Sequence, residues 1–201
     1  MELSALRRRL AEEPSDAETV GILATSDDAT DLISGPLRPA AVLVPILHGD
    51  QPGILLTLRT PNLSAHAGQV AFPGGRIEPE DISPEAAALR EAEEEIGLAP
   101  SHVEIAGRLP DYVTGTGYLI TPIIGLLPEG LILTPSPDEV AEIFTLPLAT
   151  LLDPTAPERR SRQFRGRERH YWVWPHERHH IWGATAAILV HLAARLRAQS
   201  A

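Results

Sequence analysis

Residues 72–98 constrain the fold of this chain most, because they place a predicted turn at Gly74 and Gly75 ahead of a helix that is bounded at both ends. Ser83 can act as its N-cap, Pro84 suits the first helical position, and Gly97 can end the helix in a left-handed conformation. The sequence therefore predicts a helix between Pro84 and Gly97. Three apolar residues at helical spacing are expected to face the core: Leu89, Ala92 and Ile96.

This helix carries four glutamates within five positions, Glu91, Glu93, Glu94 and Glu95. Like charges three and four residues apart repel each other, and near the C-terminal end they also oppose the helix dipole. A divalent cation would remove this conflict, because Mg²⁺ binds carboxylate oxygens and usually completes its shell with water and substrate phosphates. Helical geometry turns Glu91, Glu94 and Glu95 to one side and Glu93 elsewhere. We therefore predict a metal site of three carboxylates and chemistry on phosphates.

The composition excludes several kinds of site. The chain has no cysteine, so disulfides and thiolate metal ligands are unavailable, which suits a reducing cytoplasm. Its first residues lack the apolar run of a secretory signal, and no apolar run approaches the roughly 18 residues of a membrane span. We therefore expect a soluble cytoplasmic protein without a membrane partner. With 201 residues, 43% of them apolar, we expect a single domain over residues 1–201.

The charge is unevenly distributed along the chain. The net charge of −10 disfavours general binding of nucleic acid, which needs a basic surface. Residues 158–180 nevertheless contain seven arginines and three glutamates, which give +4 and leave −14 for the remainder. We interpret this basic segment as a solvated hairpin with charged outer faces. A site for one small anion, or for a polynucleotide, is the alternative.

Apolar runs before and after the central helix predict strands. Residues 1–35 are expected to form an amphipathic N-terminal helix and a lead-in rich in turn formers. Residues 40–47 and 53–59 are two apolar runs, and the short segment between them contains Gly, Asp and Pro, as in a β-hairpin. Strands on both sides of a central helix, with a second long helix at the end, predict an α/β fold with a mixed sheet between helical layers. Further strands are predicted to begin near residues 103, 118, 140 and 171, and the last helix to span 181–196.

The sequence REAEEEIGL, residues 90–98, resembles the second half of the signature of the Nudix hydrolases, REUXEEXGU with U aliphatic. The first half departs from that signature, because Asp81 replaces a glutamate and Arg90 follows after eight residues instead of seven. The additional residue lies in the loop before the helix and leaves the helical carboxylates in register. Residues 55–75, LLTLRTPNLSAHAGQVAFPGG, are similar to the segment that marks the coenzyme A diphosphatase branch, which also has the longer spacing. The similarity extends over about residues 40–189.

This resemblance implies a Nudix-type α/β/α sandwich with a central mixed β-sheet. It also implies hydrolysis of coenzyme A or its derivatives to 4′-phosphopantetheine and adenosine 3′,5′-bisphosphate, with Mg²⁺ or Mn²⁺ as cofactor. Glu91 and Glu95 would bind metal directly, and Glu94 would bind a further metal or polarise the attacking water. Five residues are candidates for substrate binding: Arg59, His66, Gln69, Gly74 and Gly75.

Several residues have a second interpretation. Arg59 could be a surface charge at the end of a strand, and His66 could be either a general base or a loop imidazole bonded to nearby backbone. Arg90 is expected to pair with Glu94, four residues on, and to orient it. Thr114, Gly115 and Gly117 border the pantetheine side or only form a tight turn. Three tryptophans are expected in the core or an interface and not under an adenine ring: Trp172, Trp174 and Trp182.

The function also has alternatives. Another Nudix substrate such as ADP-ribose or NADH would use the same metal site with a different pocket. A non-catalytic binding module could keep the fold, although it would be free to lose the glutamates. RNA binding would use the basic segment, and we expect no nucleic-acid partner. The expected partner is a small-molecule substrate of the coenzyme A class, and a homodimer is left open.

Overall fold

The computed structural model describes residues 3–11, 33, 35–63 and 66–197. The predicted N-terminal helix is present as α1, Leu3–Ala11. Most of the predicted lead-in lies outside the described residues.

A mixed sheet of eight strands forms the centre of the molecule. The first two strands, β1 and β2, are the predicted hairpin, and β1 also pairs with β7 in parallel over its whole length. All other pairs in this sheet are antiparallel, with β8 and β3 next to β2, and β5 and β6 next to β7. The strands are β1 (Arg38–His48), β2 (Gly53–Arg59), β3 (Val70–Ala71), β4 (Gly74–Arg76), β5 (Glu104–Arg108), β6 (Tyr112–Val113), β7 (Tyr118–Pro128) and β8 (Val140–Pro147).

Helices cover both faces of this sheet. The predicted central helix is α2, Pro84–Ile96, which packs with Leu43 and other residues of β1 and β7 in one buried cluster. The last helix, α4, Gly183–Arg197, packs with α1 and with Val44 of β1 in a second cluster. Neighbouring residues of β1 thus face opposite clusters, as the two-residue period of a strand requires. The predicted α/β/α sandwich is confirmed. A short helix α3, Leu148–Leu152, and a 3₁₀ turn, Pro100–His102, complete the helical elements of the described residues.

The ends of α2 lie where its sequence predicts. The Ser83 hydroxyl accepts a hydrogen bond from the Ala86 N–H at 3.2 Å, and Gly97 ends the helix at a φ of +66°. Ala92 and Ile96 are fully buried, as expected. Leu89 is only half-buried and lies outside both buried clusters, so the predicted core face is wrong at that position.

The basic segment belongs to a second, three-stranded sheet. Its strands are β9 (Glu158–Phe164), β10 (Arg167–Trp174) and β11 (Ile181–Trp182), in the order β11-β10-β9. The predicted hairpin is therefore confirmed. The last helix begins two residues later than predicted, because Ile181 pairs with Trp174 as a strand residue. None of the helices in the described residues is both long and apolar enough to cross a bilayer.

Candidate active site

The glycine pair does not form the predicted turn, because Gly74 and Gly75 belong to β4 and pair with β1. A Cβ atom on Gly75 would lie 2.5 Å from the carboxyl carbon of Glu91. A Cβ atom on Gly74 would lie 2.4 Å from the backbone oxygen of Ala41. The missing side chains therefore let this strand pack closely between β1 and the glutamate helix α2.

Glu95 is the most deeply buried carboxylate of α2, with 2% of its surface exposed. Its Oε2 accepts a hydrogen bond from the Gly74 N–H at 3.2 Å, and its Oε1 lies 3.4 Å from Nη1 of Arg59. Burial is the main cause that raises the pKa of Glu95 to about 7, and the negative charges of Glu139 and Glu91 act in the same direction. The Gly74 hydrogen bond and the Arg59 charge oppose this pKa shift without cancelling it. The Glu95 carboxyl is therefore protonated in about half of the metal-free molecules near pH 7.

Glu91 lies one turn earlier on α2 and faces the same strand. Its carboxylate rests over Gly75, and its Oε1 lies 2.8 Å from Nη1 of Arg90. Burial is the main cause that raises the pKa of Glu91, and the charges of Glu94 and Glu139 act in the same direction. The neighbouring Arg90 lowers the Glu91 pKa, but it does not outweigh burial.

Arg90 is bound more tightly to the loop before α2 than to Glu94. Its Nε and Nη2 atoms donate to the two carboxylate oxygens of Asp81 at 3.1 and 2.9 Å. Its distance to Glu94 is 3.5 Å, so the predicted pair exists and is the longest of its three ion pairs. Asp81, the residue that departs from the family signature, also accepts the Glu78 N–H at 2.8 Å. Arg90 and Asp81 together join the longer loop to the helix.

The other glutamates differ in exposure. The Glu94 side chain is 61% exposed, and Glu93 is also exposed, as the helical spacing predicts for Glu93. Glu139 is an additional carboxylate that sequence reasoning did not propose as a site residue. Its charge acts on Glu91 and Glu95 because the preceding loop binds the end of α2, where the Ser136 N–H donates to the backbone oxygen of Glu95 at 2.8 Å.

The carboxylates of α2 have the oxygen ligands that a divalent cation prefers, but they do not converge on one point. Glu91 and Glu95 are carboxylates whose pKa values are raised partly by each other or by neighbouring glutamates, so a cation would relieve this repulsion. Among the described residues, no three acidic or histidine side chains already form a metal-binding group. A cation would therefore need to recruit the exposed Glu94 or the half-buried Glu139 to Glu91 and Glu95.

None of the three candidate metal ligands lines the cavity of about 560 Å³, but the backbone N–H of Arg59, the partner of Glu95, donates to the backbone oxygen of the lining residue Gln69 at 3.0 Å. His66 and Gln69 line the cavity and contact each other at 2.9 Å, Nδ1 to Oε1. The His66 imidazole therefore contacts a side chain and not the backbone group that one interpretation expected. Thr114 and Gly115 line the same cavity, whereas Gly117 closes the turn with its N–H on the Thr114 oxygen at 3.0 Å.

The basic segment is more than a solvated hairpin. β9 is exposed at every position, but three arginines of the hairpin line the cavity: Arg162, Arg165 and Arg169. This favours the small-anion alternative for the segment.

The tryptophans differ in their surroundings. Trp174 is buried and donates from Nε1 to the backbone oxygen of Ala186 at 3.0 Å, as predicted for the core. Trp182 lines the cavity, contrary to that prediction.

Arg59 is not the surface charge that one interpretation expected. Its side chain is 23% exposed and its carboxylate partner is Glu95. The five candidate substrate residues therefore fall into two groups. Arg59, Gly74 and Gly75 surround the carboxylates, and His66 and Gln69 line the cavity.

The sequence matches known proteins over most of its length. A model of the NUDIX domain family matches residues 36–166. Nudix hydrolase NudL of Escherichia coli strain K12, described as uncharacterized, is 45% identical over 159 residues, which cover 79% of this chain and 83% of that protein. The protein of the same description from Shigella boydii serotype 4 is 46% identical with the same coverage.

Solved structures of Nudix proteins resemble this chain more distantly. The Nudix hydrolase RenU of M. smegmatis is 25% identical, has a TM-score of 0.49, and covers 60% of this chain and 76% of its own. An Ap4A hydrolase of C. elegans in a binary complex is 18% identical, has a TM-score of 0.47, and covers 55% of this chain and 80% of its own. The sequence matches, not these superpositions, decide the assignment. The chain belongs to the Nudix hydrolase family, whose members cleave the phosphoric anhydride of nucleoside diphosphate derivatives.

Proposed function

We propose that this protein hydrolyses the diphosphate of coenzyme A or its derivatives to 4′-phosphopantetheine and adenosine 3′,5′-bisphosphate. One observation carries the proposal: a single segment, residues 55–75, holds both the branch-specific motif and the contacts at the site. Through Arg59 and Gly74 this segment binds Glu95, and through His66 and Gln69 it lines the neighbouring cavity. Because one segment contacts both Glu95 and the cavity, it supports a single substrate that extends from the carboxylates into the cavity.

The reaction adds water to one phosphorus of the diphosphate. A P–O bond to the water oxygen forms, the bond from that phosphorus to the bridging oxygen breaks, and two phosphate monoesters leave. The proton lost by the water needs an acceptor near neutral pH. Nudix hydrolases use divalent cations, and Mg²⁺ or Mn²⁺ held by Glu91, Glu94 and Glu95 would neutralise the diphosphate oxygens and acidify the attacking water.

The chain's own groups would supply the remaining requirements. Glu95 is held between the Gly74 N–H and the Arg59 guanidinium, so its carboxylate is fixed in one position where a cation could bind it. Arg90 fixes Glu91 against Gly75. Arg59 lies 3.4 Å from Glu95 and keeps donors that a phosphate oxygen could share. We propose Arg59, Gly74 and Gly75 on the diphosphate side of the substrate, and His66 and Gln69 on the cavity side.

The test is hydrolysis of a panel of diphosphates, namely coenzyme A, acetyl-coenzyme A, ADP-ribose and NADH, with Mg²⁺ and with Mn²⁺. Coenzyme A or its acyl form should have the highest kcat/KM. A preference of tenfold or more for ADP-ribose or NADH would contradict coenzyme A as the substrate, but it would not contradict Nudix hydrolysis itself.

The role of α2 has its own test, which also addresses a non-catalytic binding module. Glu95→Gln should reduce kcat at least a hundredfold, because it removes the carboxylate that lies between Gly74 and Arg59. Glu93→Gln is the matched control, since Glu93 is exposed on the same helix. Equal rates in the two variants would contradict the assignment of catalysis to this edge of α2.

A further inference from the structure

The cavity combines cationic and aromatic side chains, although the chain as a whole has a net charge of −10. Three arginines and two histidines line it, and among the described lining residues none is acidic. Aromatic rings of the same hairpin and of β11 complete the wall: Phe164, Tyr171 and Trp182. A volume of about 560 Å³ is in the range of ligand pockets. The ligand that suits these groups is an anion attached to a flat ring.

Arg162 is held by aromatic faces. Its guanidinium carbon lies 5.4 Å from the ring centre of Phe164, 5.9 Å from that of Tyr171 and 5.4 Å from that of Trp182. Within the described residues, no carboxylate forms an ion pair with it. The rings thus orient this cation while its charge is left for a ligand.

Arg165 occupies a backbone conformation that arginine rarely adopts. Its φ is +50° and that of Gly166 is +75°, so both central residues of the two-residue loop between β9 and β10 have positive φ. Such loops favour Asn-Gly, and an ordinary side chain at the first position is strained by about 1 kcal/mol. The Arg165 guanidinium lies 5.5 Å from the ring centre of Phe164, on the ring that Arg162 also faces. The hairpin therefore carries a second cavity arginine at a local cost in stability.

The cavity is linked to the carboxylates by consecutive contacts. Tyr118 lines the cavity, and its hydroxyl lies 3.4 Å from Nη2 of Arg76. Arg76 follows Gly75 in β4, and Gly75 lies under the Glu91 carboxylate. A diphosphate at the carboxylates would therefore extend one of its two substituents toward this cavity.

We infer that the cavity binds the adenosine 3′-phosphate end of the substrate, with the 3′-phosphate at Arg162 and Arg165 and the base against the aromatic wall. The inference rests on the proposed function, because coenzyme A carries this additional phosphate. The pantetheine arm has neither a ring nor a further charge, so it would use neither feature of the cavity. Arg162 and Arg165 then determine the choice between coenzyme A and substrates without a 3′-phosphate.

Steady-state kinetics with coenzyme A and 3′-dephospho-coenzyme A test this inference. Arg162→Ala should raise KM for coenzyme A roughly tenfold to a hundredfold, the effect of losing a charged hydrogen bond, with kcat little changed. KM for 3′-dephospho-coenzyme A should change less than about threefold, since its missing phosphate cannot lose a contact. An equal loss with both substrates, or no loss with either, would overturn the inference.

Two further variants separate charge from folding. Arg159→Ala removes the same charge from the opposite face of the hairpin, where Arg159 lies 5.5 Å from the Trp172 ring, and should leave both KM values unchanged. Arg165→Asn should keep or raise the melting temperature, because Asn suits the turn, while it raises KM for coenzyme A alone. A raised KM in Arg159→Ala equal to that in Arg162→Ala would reduce the effect to net charge and contradict the inference.

Calorimetric titration with adenosine 3′,5′-bisphosphate and with AMP distinguishes this inference from the proposed function. The wild type should bind the bisphosphate at least tenfold more tightly, and Arg162→Ala should remove that preference. Retained preference without hydrolysis of coenzyme A would refute the proposed function and support the cavity assignment. Hydrolysis of coenzyme A with equal affinity for the two nucleotides would refute the cavity assignment alone.

Discussion

At the scale of single residues, Glu95 shows how burial and pairing compete. It has a hydrogen bond from Gly74 and a cation, Arg59, at 3.4 Å, both of which stabilise the charged carboxylate. Its pKa nevertheless rises to about 7, because loss of solvent is the largest contribution and Glu139 and Glu91 add repulsion. The ionised residue is therefore unfavourable in the metal-free protein.

This gives a pH dependence of stability. The pKa of Glu95 is about 7 in the folded protein and near its ordinary value of 4.5 in the unfolded chain. As the pH rises from about 4.5 through about 7, the unfolded chain releases this proton first, so the folded state loses stability. Glu95→Gln should therefore raise the unfolding free energy of the metal-free protein at pH 8, by roughly 2 kcal/mol, and have little effect at pH 4.5.

Urea unfolding in the presence of a chelator, at both pH values, measures this difference. Glu93→Gln serves as the control, because Glu93 is exposed on the same helix and should change stability equally at both pH values. A gain in Glu95→Gln that does not depend on pH would contradict the burial of an ionised Glu95.

Asp81 is a second residue whose environment predicts an effect. Its carboxylate accepts two hydrogen bonds from Arg90 and one from the Glu78 N–H, and the Arg90 bonds are the main cause that lowers its pKa. Asp81→Ala should lower the unfolding free energy by about 1–3 kcal/mol at pH 7. The difference from wild type should shrink as the pH falls below the ordinary Asp value of 3.8, because the unfolded chain takes up this proton before the folded protein does.

Glu80→Ala is the control for Asp81→Ala, since Glu80 is exposed in the same loop. Denaturant unfolding of the three proteins from pH 7 to pH 3 is the measurement. Equal stability of the two variants at pH 7 would show that the Asp81–Arg90 pair does not hold the longer loop to α2.

At the scale of elements, the close packing of β4 under α2 decides where the carboxylates lie. The two glycines of β4 serve different neighbours, because a Cβ on Gly75 meets the flexible end of Glu91 and a Cβ on Gly74 meets the backbone of β1. A flexible side chain can move aside, whereas paired backbone cannot. The two positions should therefore respond differently to the same substitution.

Gly75→Ala should reduce kcat by roughly 10- to 100-fold, because it displaces the Glu91 carboxylate, and should change the melting temperature little. Gly74→Ala should lower the unfolding free energy by about 3 kcal/mol, because its Cβ would lie 2.4 Å from the Ala41 oxygen and 2.6 Å from the Val42 Cα. Turnover of coenzyme A and thermal unfolding of both variants are the measurements. A large loss of stability in Gly75→Ala would contradict the view that Glu91 is its only obstacle.

Local sequence signals predicted the elements that depend on neighbouring residues. The bounds of α2 follow from Ser83, Pro84 and Gly97, and the hairpin of β1 and β2 follows from its apolar runs and turn residues. The apolar spacing of α4 extends back to Ile181 and predicts a helical residue there. Pairing with Trp174 across the chain turns it into a strand residue instead. Helical periodicity alone cannot reveal such a partner.

The parts of the site that sequence reasoning missed are brought in by long-range contacts. Glu139 comes near Glu91 and Glu95 because the Thr60 N–H binds its backbone oxygen and the preceding loop binds the end of α2. The family resemblance over about residues 40–189 includes Glu139 but does not single it out. The wall of the cavity joins residues about 100 positions apart, such as Gln69 and Arg169. No local pattern predicts that contact.

At the scale of the whole molecule, charge is separated between two neighbouring places. The glutamates of α2 and Glu139 form an acidic cluster, and the described lining of the cavity beside it is free of acidic residues. An anionic substrate could therefore meet cations at both ends, divalent ions at the cluster and arginines at the cavity. This arrangement reconciles a net charge of −10 with a substrate that carries several phosphates.

The prediction of a single domain can be tested at its N-terminal end. Leu6 of α1 is fully buried in the cluster that also contains α4, and the Arg195 guanidinium donates to the Leu10 oxygen at 2.6 Å. If α1 and the main sheet unfold together, Leu6→Ala should lower the unfolding free energy of the whole protein by about 2–5 kcal/mol in one transition. Arg8→Ala, at an exposed position of the same helix, should change it by less than about 0.5 kcal/mol. Denaturant unfolding followed by far-UV circular dichroism and tryptophan fluorescence measures both, and two separate transitions in Leu6→Ala would show that α1 is not part of the cooperative domain.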